Sequence, residues 1–408
     1  MSSRRRTKSS QQGVIVLFIT VILAILGLFY ALTGINVGGV FDVTQTSVAN
    51  IPPAVLTGTS FQPGDTAPTS ASTNGQADWW QVYFTDHLTM GDPNNISGSI
   101  EEKLIQRINS AKTSIHIASF EFDLTPVADA LIAAHNRGVD VRWVTDNEFG
   151  LESDGEPGRG QFAMLQKVGI EVHADTRTAL MHNKFWIFDG EILWTGSTNI
   201  TENGIFVQDN NTIVFASPEL AAIYEREFQE MWDGKFGPKS PSQLADQSLV
   251  LNGTPIQVIF TSEDPALEPS IVPLVSSATS SVHFLAFSFT DFPLANAMVQ
   301  RAKAGVTVSG VIDKTQSGGT GSELGTLFCA GIAVRQDGNP QFMHSKVMIV
   351  DDRYVVTGSL NYSTSAEESN DENVIIIDNP EIARLYLQDF DRVFGQGTAP
   401  DPAKVKCP

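Results

Sequence analysis

Residues 181–199, MHNKFWIFDGEILWTGSTN, return as residues 343–361, MHSKVMIVDDRYVVTGSLN, and this near-repeat constrains the fold more than any other feature of the 408-residue chain. Between the copies the apolar residues drift, while His, Lys, Asp, Gly, Ser and Asn keep their places. A segment that served only a core would do the reverse, holding its apolar pattern and letting polar identities wander. The repeat therefore reads as a chemical site carried by two similar halves.

The duplication extends beyond it. QVYFTD from Gln81 answers QVIFTSED from Gln257, and the run from Thr113 through His116 to Asp146 answers that from Ser280 through His283 to Asp313. Each run passes from a β-branched and aromatic stretch to an Ala-rich amphipathic stretch, a Gly and a second apolar stretch, which predicts strand, helix, strand. Alternating strands and helices imply parallel pairing and a layered α/β structure. Each half closes on a predicted helix that opens with a polar cap, Pro and Glu, at Ser217-Pro218-Glu219 and Asn379-Pro380-Glu381. The halves run over residues 78–236 and 237–397, with a tail at 398–408.

In an extended strand side chains two apart share a face, so His182 emerges with Lys184, and His344 with Lys346. Each imidazole then stands beside a fixed positive charge. Asp189 and Asp351 follow their His by seven residues, an odd interval that sends them to the opposite face or the strand end, where charge pairing would buttress the site. Next come Gly196, Ser197 and Asn199, and in the second copy Gly358, Ser359 and Asn361. A tight turn there could aim a hydroxyl and an amide at the oxygens of an anion. A single His-x-Lys carries little information. Two copies with the same spacing to Asp, Gly, Ser and Asn carry a great deal.

The pattern H-x-K-x4-D-x6-G-S-x-N, present twice, resembles the signature of the phospholipase D superfamily, and the resemblance covers residues 81–397. It implies two α/β units packed about a pseudo-twofold axis, phosphodiester chemistry without an obligatory metal or other cofactor, and a motif whose catalytic members are His182, Lys184, Asp189, His344, Lys346 and Asp351. One His attacks phosphorus and the other protonates the leaving alcohol, then deprotonates the incoming water. Lys184, Lys346, Asn199 and Asn361 would hold the nonbridging oxygens, with Ser197 and Ser359 alongside. Relatives also carry a carboxylate that orients a His, often across the halves. Glu372 stands 28 residues past His344, whereas the same offset from His182 gives Asn210, with Asp209 beside it. On that analogy Glu372 orients His182, making it the nucleophile and His344 the acid.

Other polar and aromatic residues have plainer readings. His116 and His283 alternate with apolar residues and read as satisfied core histidines. Trp79 and Trp80 read as packing at the domain edge, with a membrane-interface anchor as the alternative. Glu121 and Ser288 occupy matching positions near the mouth of the site and are candidates for substrate contact.

The rest of the chain speaks to location and substrate. Arg4, Arg5, Arg6 and Lys8 precede an uncharged apolar run over residues 14–32, which as a helix would span about 28 Å, close to a bilayer core. The positive-inside rule leaves residues 1–13 cytoplasmic and everything beyond residue 32 outside. No A-x-A-like site follows the run, so an uncleaved single-pass anchor in a plasma membrane is expected rather than a signal peptide. Residues 33–77, rich in Gly, Ser, Thr, Pro and Asn, read as a linker with a reach of about 36 Å. The formal net charge of -20 opposes polyanion binding, so phospholipid is the expected partner and nucleic acid the alternative. Within the lipids, the acidity favours zwitterionic headgroups. A nuclease and a noncatalytic phosphate-binding module remain as other classes. Asn199-Ile-Thr and Asn361-Tyr-Ser are glycosylation acceptors on which a glycan would block the site, which leans toward a bacterial source. The expected state is a monomer. Cys329 lies in an apolar run and reads as a buried unpaired thiol, with a disulfide to Cys407 as the alternative.

Overall fold

The computed structural model describes residues 77–242 and 247–408; the apolar run at 14–32 and most of the linker lie outside them. Among the described residues no helix is long and apolar enough to cross a membrane. The first half builds β1 (Trp80–Phe84), β2 (Ser114–Ser119), β3 (Asp140–Thr145), β4 (Glu171–Ala174), β5 (Lys184–Phe188), β6 (Ile192–Gly196) and β7 (Asn211–Ala216). The second builds β8 (Ser248–Leu251), β9 (Thr254–Thr261), β10 (Ser281–Ala286), β11 (Thr307–Ile312), β12 (Ala333–Gln336), β13 (Lys346–Val350), β14 (Tyr354–Gly358) and β15 (Glu372–Asp378).

The sheets have the orders β1-β7-β6-β5-β2-β3-β4 and β12-β11-β10-β13-β14-β15-β9-β8. Read from opposite ends they are the same sheet, with β8 added to the second. Parallel pairing, expected throughout, is confined to β2-β3-β4 and β10-β11-β12. The reason lies in the connections: parallel neighbours need a crossover, and helices such as Thr125–Asn136 and Phe292–Lys303 supply it there. The repeated segment instead doubles back as a hairpin, β5 against β6 and β13 against β14, so the sheets are mixed. At the first hairpin Asp189 and Gly190 both take positive φ, and at the second Asp351 and Asp352 do, the backbone that tight hairpins prefer.

Both central strands are buried on each face. Phe185 and Ile187, with Val347 and Ile349, enter one core shared by the two halves, whereas Trp186 and Phe188, and Met348 and Val350, enter separate outer cores. The closing helices, Pro218–Trp232 and Pro380–Gln396, contribute Leu220, Tyr224, Phe228 and Met231, and Ile382, Tyr386, Phe390 and Val393, to the shared core. Their caps form as the sequence predicts: Ser217 accepts from the Leu220 N–H, and Asn379 from those of Glu381 and Ile382. Trp80 is buried, and Trp79 stacks on Phe215, so both pack at the domain edge.

A polar seam crosses the shared core. Asn373 Oδ1 accepts from Thr195 Oγ1 at 2.8 Å and Tyr224 OH at 3.3 Å, both from the first half. Reciprocally, Asn211 Oδ1 accepts from Thr357 Oγ1 at 2.8 Å and Tyr386 OH at 3.2 Å. Each such bond contributes only about 1 kcal/mol net, but a buried amide left without its partner costs about 1–3 kcal/mol, so the seam favours this register of the halves over others.

The structure corrects the cysteine reading, because Cys329 is bonded to Cys407. The apolar setting of Cys329 suggested a thiol packed alone, but the tail folds back against its helix, and a side chain at Gly325 would collide with the Lys406 carbonyl. Breaking this bridge by Cys407→Ser is expected to lower stability by about 2–4 kcal/mol, since the loop it closes is long. A denaturant midpoint unchanged from the unsubstituted protein would count against it.

Candidate functional site

The histidines stand just before β5 and β13, on short bridges that cross between the halves: Met181 pairs with Asp371, and Asp209 with Met343. The His182 N–H donates to the Asp371 carbonyl at 2.9 Å, and the His344 N–H to the Asp209 carbonyl at 2.8 Å. Each half therefore fixes the other's imidazole through backbone. Two buried aspartates place the approach: Asp146 Oδ2 accepts from the Met181 N–H, and Asp313 Oδ2 from the Met343 N–H, both at 3.1 Å. The lysines begin the strands and fold back, with Lys184 Nζ donating to the His182 carbonyl at 2.8 Å and Lys346 Nζ to that of His344 at 2.6 Å.

The two imidazoles differ in what holds them. His182 Nδ1 lies 2.7 Å from Glu372 Oε2, a carboxylate of the other half whose Oε1 accepts from Asn370 Nδ2. His344 Nδ1 lies 3.1 Å from Asn210 Oδ1, which also accepts from Ser197 Oγ at 2.8 Å. Two acidic neighbours carry cross-half ion pairs: Asp371 with Arg177, and Asp209 with Arg392, the latter at 2.9 Å.

Gly196 and Gly358 explain the Gly-Ser of the motif. Each has positive φ, and a Cβ at either would be driven into the carbonyl of Asn211 or Asn373. That close approach lets the Ser197 N–H donate to the Asn211 carbonyl and the Ser359 N–H to that of Asn373, both at 3.0 Å. The Oδ1 atoms of Asn199 and Asn361 are buried without a hydrogen-bond partner among the described residues.

Asp189 and Asp351 are not in the site. They sit in the hairpin turns at the far ends of β5 and β13, where Asp189 accepts the N–H groups of Lys112, Thr113 and Ser114, and Asp351 those of Thr279, Ser280 and Ser281. They act through backbone rather than charge pairing, anchoring the starts of β2 and β10. Burial alone would raise both carboxyls, but the three N–H donors outweigh it and hold them below the usual range. His116 pairs with Glu225 at 2.8 Å and stacks on Phe228, and His283 pairs with Ser309, so neither joins the site.

Sequence reasoning missed Phe120 and Phe287. Their rings stand edge-on to His182 and His344, with centroids 4.8 and 4.9 Å away, and lie 5.0 and 4.9 Å from the Nζ atoms of Lys184 and Lys346. The signal was present, since the two occupy matching positions in the repeated runs from Thr113 and Ser280. Asp146 and Asp313 match in the same way.

Electrostatically the site is governed by burial of its basic groups, which the neighbouring carboxylates Glu372, Glu121, Asp146 and Asp313 offset only in part. His182, Lys184, His344 and Lys346 are 5, 3, 7 and 2% exposed. Burial, then the lysine charges, hold both imidazoles well below their ordinary range. Lys184 is pushed down to about 8 by burial against the pull of Glu372, and Lys346 is also lowered. Burial raises Glu372 to about 7, opposed chiefly by Lys184. An entering anion would add negative charge beside the buried basic groups and raise them. Binding of tungstate near neutral pH should therefore draw on the order of one proton from the buffer, read by calorimetry in buffers of different ionisation enthalpy. Proton release on binding would contradict this electrostatic account.

Among the described residues no three His, Cys, Asp or Glu side chains are grouped to hold a metal ion. The family described as "Cardiolipin synthase, PLD-like domain" matches residues 104–232 and 271–394, more than half of the chain. The human mitochondrial cardiolipin hydrolase is 40% identical over 120 residues, which is 29% of this chain and 48% of that protein. A phospholipase D of Rickettsia conorii is 34% identical over 28% of this chain and 58% of its own. The chain thus spans about half the length of the curated relatives it matches. The solved phosphatidylserine synthase of Haemophilus influenzae superposes with a TM-score of 0.57 at 14% identity, over 78% of this chain and 87% of that one, a likeness of fold.

Proposed function

The chain belongs to the phospholipase D-like family, and from that premise we propose that it is a phosphodiesterase that cleaves phospholipids through a phosphohistidine. The observation that carries the reading is the 2.7 Å contact between His182 Nδ1 and Glu372 Oε2 across the halves. A carboxylate on Nδ1 fixes the tautomer that leaves Nε2 free to attack and stabilises the cation that forms. The Nε2 lone pair bonds to phosphorus, the ester P–O bond breaks, and the departing alkoxide takes its proton from His344. Water then gives a proton to His344 as its oxygen attacks phosphorus, the P–N bond breaks, and a phosphomonoester leaves. Lys184, Lys346 and the amides of Asn199 and Asn361 bear the charge on the nonbridging oxygens.

The apolar run at 14–32 would hold this domain at the outer face of a membrane, within the linker's reach of its substrate. A disulfide between Cys329 and Cys407 supports an oxidising compartment. The net charge of -20 supports lipid over nucleic acid.

The roles of the two histidines are separable. His182→Ala and His344→Ala should each abolish lipid turnover, the second by about 10²–10⁴-fold. Nitrophenolate needs no proton to leave, so bis(4-nitrophenyl) phosphate should still give His344→Ala a burst of one product per site, with label on the peptide that holds His182. Label on His344 would reverse the assignment.

The pH profile follows from the direction of the shifts. His344 must carry a proton at the start of the cycle, and burial and the lysines make it lose that proton at lower pH than a solvated imidazole does. The alkaline limb of kcat/KM, which reports the free protein, should fall below about 6.5. That of kcat should lie higher, because the bound diester restores the charge. A kcat/KM limb well above 7.5 would count against His344 as the acid.

A further inference from the structure

Glu121 is placed by the fold at the mouth of the site and has no work within the fold. β2 ends at Ser119, which pairs with Lys184; Phe120 follows against His182, and Glu121 comes next. Its carboxylate is half-buried and close enough to Lys184 for each to shift the other's proton affinity. Yet it has no hydrogen bond and no ion pair among the described residues. Arg159 is the strongest neighbouring positive charge, but it stands beyond ion-pair distance, and its own Nη1 is buried without a partner. Unlike Arg159 Nη1, the Glu121 oxygens are not shut away from solvent, so an entering cation could reach them.

The duplication supplies a control. The matching position in the second half, beside Lys346, is Ser288, so this fold does not require an acid at the lip. Asp123, two residues on, differs: its carboxylate accepts the Glu202 N–H at 2.8 Å and has a structural task. Glu121 is thus a charge that one half carries and the other omits, next to a lysine poised for a phosphate oxygen.

Resting on the phospholipid reading above, we propose that Glu121 is a specificity-determining residue: it takes the ammonium group of an amine-bearing phospholipid headgroup and disfavours headgroups that bring no cation or a second phosphate. The Coulomb term acts at short range in a partly dry site, where it is screened far less than at the surface. The phosphate is drawn in by the two lysines whatever the headgroup, so Glu121 acts on the choice among diesters.

The test compares phosphatidylethanolamine with phosphatidylglycerol of the same acyl chains in the same neutral detergent micelles, using the full chain and its Glu121→Gln and Glu121→Ser variants. The unsubstituted protein should favour the ethanolamine lipid in kcat/KM, and both variants should shrink that ratio about tenfold, with Glu121→Ser reproducing the lip of the other half. A ratio unchanged within twofold in both variants overturns the proposal. So does a ratio kept by Glu121→Gln and lost by Glu121→Ser, which would make Glu121 a neutral hydrogen-bonding group. If the unsubstituted protein cleaves bis(4-nitrophenyl) phosphate but neither lipid, the phospholipid reading itself fails, an outcome distinct from the other two.

Discussion

Two lysines and two imidazoles buried within reach of one another's charge form the constraint on which the rest of the structure depends. Each buried ion costs several kcal/mol in lost hydration, and like charges add to that cost. The neighbouring carboxylates offset that cost only in part, since burial still lowers both lysines. The protein turns the lysine ammonium groups onto the carbonyls of His182 and His344, sets Glu372 on His182 with Glu121, Asp146 and Asp313 in the surroundings of the lysines, and lets the basic groups lose affinity for protons. On the function proposed above, an entering phosphodiester would relieve part of the remaining cost. The acidity of the chain as a whole does not reach the site, because screening at the surface confines those charges to their surroundings.

Holding that arrangement takes two halves, and the means are mostly backbone. The bridges that carry the His182 and His344 N–H groups to Asp371 and Asp209, the seam at Asn211 and Asn373, and the close approach at Gly196 and Gly358 all join segments far apart in sequence. Interactions of this kind cost little to keep and much to break singly. They leave little freedom for the imidazoles, so the donors are aimed before substrate arrives. Arg177 and Arg392 brace the same bridges by neutralising the two aspartates whose carbonyls they use.

The amount of this that could be read in the sequence differs from residue to residue, for physical reasons. The pairing of His182 with Lys184 and of His344 with Lys346, and the glycine before each Ser, were legible because identical letters recur at identical spacing. The reach of Glu372 to His182 came from family resemblance, since no local pattern says which residues a fold of two halves will set face to face. The strand-end place of Asp189 and Asp351 was legible from their odd interval to the His, but not their partners, because a motif records that a carboxylate is needed and not that backbone N–H groups rather than a charge will meet it. Mixed pairing was missed because strand and helix alternation says nothing about a hairpin. The disulfide stood only as the alternative because the setting of Cys329 on its helix does not reveal where a tail returns. Phe120 and Phe287 went unnoticed because aromatic residues on strands are ordinary core.

Duplication keeps what the reaction needs on both sides and releases the rest to differ. Lysine, Ser and Asn are the same in both copies, as charge on phosphate oxygens must be met from either side. The groups behind the imidazoles are not the same. Glu372 offers His182 a carboxylate, which on the proposed mechanism would stabilise the imidazolium and favour the nitrogen that attacks phosphorus. Asn210 offers His344 an amide oxygen that fixes the ring by hydrogen bonding and lends it no charge, so as the proposed acid it would hold its proton less tightly and pass it more readily to an alkoxide. That difference is the basis of the proposed division between attack and protonation, and it lies in one side chain on each side of an otherwise repeated frame. Glu121 against Ser288 follows the same logic one layer further out. If the substrate is a phospholipid diester as proposed, the two halves need not do equal work there, because a diester has two different arms and a symmetric site could not tell them apart.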